Sequence, residues 1–79
     1  MQTEGDSDEE LIGKIGRITL PVPADGPGEV LIDVRGGSEA YAAYSDEPIA
    51  KHRQVVVVEE RSSRSLVVTP LPESIFPAR

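Results

Sequence analysis

From Gly13 onward, apolar and polar residues alternate with a period near two, the spacing of strands whose successive side chains point to opposite faces of a sheet. Five runs fit this pattern, at residues 14–20, 29–35, 39–45, 54–60 and 65–69. The second is the clearest, because Val30, Ile32 and Val34 alternate with Glu29, Asp33 and Arg35, which places an aliphatic row on one face and charges on the other. Leu31 interrupts the polar face. The fourth run, Val55-Val56-Val57-Val58, is apolar on both faces, as a central strand or one beneath a covering segment would be. The pattern predicts a core of Val30, Ile32, Val34, Ala43, Val55, Val57, Leu66 and Val68.

The punctuation between the runs is strong. Pro21, Pro23, Asp25, Gly26, Pro27 and Gly28 make a loop too rich in proline and glycine to pair as a central strand. Gly36-Gly37 predicts a two-residue turn and a hairpin between the second and third strands. Residues 46–53 are a longer connection with room for at most one helical turn. Residues 61–64 lack glycine, which suggests a four-residue loop around a type I turn. Pro70, Pro72 and Pro77 predict an irregular C-terminal tail. Gly13 and Gly16 fit close backbone approach on a coiled first strand.

Five short strands with regular turns favour a closed sheet, because closure removes exposed edges. The fold class read from the pattern is all-β, a five-stranded OB-fold barrel. Strand count and length do not fix the connections, so a β-sandwich or an SH3-like barrel stays open on this ground alone.

Composition changes the picture chiefly by exclusion. Seventy-nine residues suffice for one small domain. The chain has no cysteine, which removes disulfides, thiolate metal sites and a cysteine nucleophile. The net charge is −6, which argues against a nucleic-acid partner. That acidity is uneven: Glu4, Asp6, Asp8, Glu9 and Glu10 form one run, and the rest has eight bases against nine acids. Such a run buries too little apolar surface to offset its ordering entropy, and residues 1–10 read as an acidic flexible linker. It also lacks the spacing of an EF-hand loop. No signal peptide or bilayer-length apolar run is present, so the fragment is expected to be soluble.

Candidate chemistry is sparse. His52 is the sole imidazole, and Ser45 and Asp46 near it are not set in a nucleophile-elbow motif. One histidine with scattered carboxylates does not supply the donors of a zinc site, and Gly26-Pro27-Gly28 is not followed by the residues of a phosphate loop. Glu59 and Glu60 are adjacent on a strand, so they face opposite sides and cannot act as a glycosidase pair. The reading is therefore non-enzymatic, with no catalytic residue, metal, cofactor or small-molecule substrate. Single-stranded nucleic acid is the alternative, since OB barrels often bind it, but it asks for a basic groove with stacking aromatics. Tyr41 and Tyr44 lie three apart, so in a strand only one can face a ligand.

The order of motifs is more specific than any one of them. The chain runs L-I-G-K-I-G from Leu11, G-E-V from Gly28, R-G-G-S-E from Arg35, A-Y-S from Ala43, P-I at Pro48, V-V-V-V-E from Val55 and L-V-V-T-P from Leu66. This series resembles the C-terminal soluble domain of the NfeD-like family, over residues 11–70. The resemblance implies an OB-fold without catalytic residues. It also implies a place after transmembrane helices in a membrane-anchored protein, with membrane contact only through segments absent from this chain. Localisation would then be the cell membrane, and the acidic run would link membrane to barrel. By the same resemblance, the partners would be a stomatin- or flotillin-like scaffold or a membrane protease under regulation. One departure is His52, where the family usually has a glycine in the turn before the fourth strand. If that turn keeps positive φ, His52 carries the left-handed penalty of about 1–2 kcal/mol.

The expected organisation is a linker at 1–10, the barrel at 11–70 and a proline-rich tail at 71–79. The expected partner surface is Leu31, Val56 and Val58 or an unpaired strand edge. A competing expectation is that Ile75 and Phe76 of the tail cover these residues.

Overall fold

The computed structural model describes residues 10–72. The acidic run up to Glu9, and the tail residues Ile75 and Phe76 with their proposed covering role, lie outside the described residues. Five strands form: β1 (Ile15–Leu20), β2 (Gly28–Val34), β3 (Gly37–Tyr44), β4 (Gln54–Ser62) and β5 (Ser65–Pro70). They are the five runs of alternating polarity, with no end shifted by more than two residues.

The sheet closes in the order β1-β2-β3-β5-β4, with β4 returning to β1. All pairings are antiparallel except β3 with β5, which is parallel. This mixed order is that of an OB barrel and excludes the sandwich. One inward row from each strand fills the interior. Val30, Ile32, Ala43, Val55, Val57, Leu66 and Val68 are all buried as the alternation predicts, while Val34 is only partly buried and packs on the core's margin. Leu11, Ile18, Val22, Tyr41 and Ile49 complete the core. Val22 and Ile49 come from the two long loops and are joined as an isolated bridge through reciprocal backbone hydrogen bonds of 2.9 Å. Apolar loop residues thus close the barrel in place of a helix.

Gly16 packs closely against its neighbours in the ring. It is aligned with Ile32 on β2 and with Val55 on β4. A Cβ there would sit 2.5 Å from Ile32 Cδ1 and 2.8 Å from the Leu31 carbonyl oxygen. Gly13 was grouped with Gly16 as a close-approach glycine, but nothing lies within 4 Å of its missing Cβ. Its requirement is conformational, a φ of +94°. Bulges between Ile18 and Leu20, between Val57 and Glu59, and between Glu60 and Ser62 add the local twist that lets short strands curl into a barrel.

Both hairpins differ in detail from expectation. Val34 pairs with Gly37, so the first turn is Arg35-Gly36 rather than Gly36-Gly37. Only Gly36 has positive φ, +85°, as a type II turn requires at its third position. In the second hairpin, Ser62 pairs with Ser65, leaving Ser63-Arg64 as a two-residue turn instead of a four-residue loop. The Ser62 hydroxyl accepts from the Arg64 amide at 3.3 Å, a local side-chain bond that serves the turn without glycine.

Candidate interaction surface

The outward positions of β2, β1 and β4 build one continuous face. Arg17 is flanked by Leu31 on β2 and Gln54 on β4. One step along, Ile15 is aligned with Val56, and Val56 with Thr69 of β5. Ile15 is 50% exposed and Val58 48%, while Leu31 and Val56 are half-buried. The face is concave over β1. Ile15, Gly16, Arg17, Leu31, Asp33, His52 and Gln54 line a depression of about 630 Å³.

Of the three residues expected on a partner surface, Leu31 lines this depression. Val56 adjoins it through Ile15, and Val58 lies further along β4 beside the bulge that precedes Glu59. Ile15 and Arg17 were not singled out from the sequence. The signal was present, since Ile15 and Ile18 lie three apart and must face opposite sides of one strand, but inward Gly16 hid the parity of β1.

The expected free strand edge is largely consumed by closure. Each strand has two neighbours, although β1 pairs with β4 only through residues 15–17 and 54–56. The part of β4 beyond Val57 carries both β4 bulges, and such bulges turn an edge away from strand addition.

His52 comes to the depression from the turn at residues 50–53. Its φ is +78°, so the turn keeps a positive φ and the condition posed for His52 is met. The Arg53 amide donates to the Ala50 carbonyl at 3.3 Å across the turn, and the His52 amide donates to Ile18 O at 2.7 Å. His52 and Asp33 line one concavity without forming an ion pair with each other. The Asp33 carboxylate instead accepts from the Ser38 hydroxyl at 3.0 Å. Neither a serine nor a threonine lines the depression.

The tyrosines divide as their spacing predicts. Tyr41 points inward and is buried, and Tyr44 is outward and half-buried. Arg61 lies over the Tyr44 ring, with its guanidinium carbon 3.9 Å from the centroid. That ring face is occupied by a cation from the same domain.

A closed five-stranded barrel of this strand order, with aliphatic side chains on its outer face, is an OB-type domain. The chain belongs to the NfeD C-terminal domain family, whose model matches residues 15–69. It is similar in structure to the soluble domain of the NfeD protein YuaF from Bacillus subtilis. That match has a TM-score of 0.69 and 35% identity, over 81% of this chain and 77% of that one. It is also similar to the C-terminal domain of stomatin operon partner protein 1510-C from Pyrococcus horikoshii, with a TM-score of 0.58 and 28% identity, over 89% of this chain and 98% of that one. Comparison with curated proteins finds no match. Among the described residues, no helix is long and apolar enough to cross a membrane.

Proposed function

We propose that this domain is a non-enzymatic protein-interaction module of a membrane-anchored NfeD-like protein, where it partners a stomatin- or flotillin-like scaffold or a membrane protease under its regulation. The observation that carries the reading is the concave outer face of β1, β2 and β4. There Ile15 and Leu31 line the depression, with Val56 beside Ile15 and Val58 further along β4, all four outside the buried core cluster. Aliphatic side chains grouped on one face are what a partner surface offers. The name of the Pyrococcus relative, a stomatin operon partner, supports a scaffold of the stomatin class. The sparse chemistry around His52 supports a contact role over a catalytic one.

The test is co-sedimentation of the domain with vesicles carrying a purified stomatin-like protein. Binding should be lost in Leu31→Asp and Val58→Asp variants that keep their fold by circular dichroism. A scaffold that never retains the unsubstituted domain would count against the reading. A salt-sensitive mobility shift with single-stranded oligonucleotides would redirect it to nucleic acid.

A further inference from the structure

Arg17 lines the depression from β1. It makes no ion pair with any described residue. Its aligned neighbours, Leu31 and Gln54, are uncharged. Of the two acids that flank Leu31 on β2, Glu29 accepts from the Thr19 hydroxyl at 2.7 Å, and Asp33, which shares the depression, accepts from the Ser38 hydroxyl at 3.0 Å. The exposed Lys51 adjoins His52 on the rim. Arg17 thus lies between two apolar side chains, Ile15 and Leu31, with no ion pair to any described residue.

We infer that the depression receives an extended segment of a partner protein, with a carboxylate on Arg17 and an apolar side chain on Ile15 and Leu31. The inference rests on the reading of the domain as a protein-interaction module. Charge complementarity selects the carboxylate, which the planar guanidinium can bind through two parallel hydrogen bonds. Strand geometry sets the spacing. Arg17 and Ile15 are alternate residues of β1, about 6–7 Å apart, and alternate residues of an extended ligand have the same separation. The recognised pattern is thus an acidic and an apolar residue with one residue between them.

The probe is the peptide acetyl-Ser-Glu-Ser-Phe-Ser-Glu-Ser-amide, which offers the pattern in either chain direction, titrated into the 79-residue chain and followed by amide NMR. Saturable shifts are expected at Ile15, Gly16, Arg17, Leu31, His52 and Gln54. Arg17→Gln and Leu31→Ser should each weaken binding by about tenfold or more. Equal binding of the peptide with lysine in place of glutamate, shifts centred on Tyr44 and Arg61, or no saturable shift would each overturn the inference. A chain ending at Pro72 gives a separate control. If shortening alone moves the depression's resonances and tightens peptide binding, the occupant is the chain's own C-terminal segment and the partner assignment fails. Scaffold capture that survives Arg17→Gln would sink this inference and leave the proposed function standing. Peptide binding without scaffold capture would keep the inference and remove the named partner.

Discussion

The amide of His52 donates to the carbonyl of Ile18 at 2.7 Å, from a residue whose φ is +78°. The turn is thus tied to β1 by the same residue that bears its backbone strain. A left-handed non-glycine residue costs about 1–2 kcal/mol, while glycine adds about 0.5–1 kcal/mol of unfolded-state entropy. His52→Gly should therefore be neutral to stabilising, by up to about 1 kcal/mol. His52→Val should destabilise, because a β-branched residue tolerates that φ least. Urea midpoints at constant m decide both.

Gly16 lies against both neighbouring strands, and its missing Cβ would meet the Leu31 carbonyl oxygen as well as Ile32. Backbone cannot move aside as a side-chain tip can. Gly16→Ala should cost about 1–3 kcal/mol. Gly37→Ala, where nothing lies within 4 Å and φ is not positive, should change stability by less than about 0.5 kcal/mol. Similar losses at the two positions would refute the tight closure of the ring.

Core and face should separate cleanly. Ile32 is fully buried, and Ile32→Ala is expected to cost about 2–5 kcal/mol. Val58 is half exposed, and Val58→Ser should stay within about 0.5 kcal/mol of the parent in thermal unfolding while weakening scaffold capture. A Val58→Ser chain that unfolds early would make this residue part of the fold rather than of the surface.

The Arg61–Tyr44 stack should be measurable by a double-mutant cycle with Arg61→Ala and Tyr44→Leu. The expected coupling is about 0.5–1 kcal/mol, the range for an exposed cation over a ring. The Arg64–Glu39 pair, 3.5 Å apart and largely exposed, should couple by less than about 1 kcal/mol and fade with added salt. A cycle energy near zero for Arg61 and Tyr44 would leave that ring free to receive a ligand.

Much of this domain was legible along the chain because a period of two is a local property. Val30 and Ile32 declared an inward row, Val55 and Val57 another, and Leu31, Val56 and Val58 stood out as apolar residues on faces that should be wet. The departure from a family glycine at His52 was legible as well, but whether the turn kept a positive φ was settled only by the fold. Parity fails where a glycine replaces a side chain, as at Gly16, and Ile15 was missed for that reason. It also fails in irregular segments, which is why Val22, Ile49 and Leu11 were absent from the expected core.

What the linear order determined by itself was which residues pair off into strands and which side of each strand is greasy, since both depend on neighbours one and two positions away. Only the closed ring decided the rest. Bringing β4 back to β1 set Arg17 between Leu31 and Gln54 and moved His52 to the rim. These are relations between residues far apart in sequence, set by strand register and curvature, and no local periodicity encodes them.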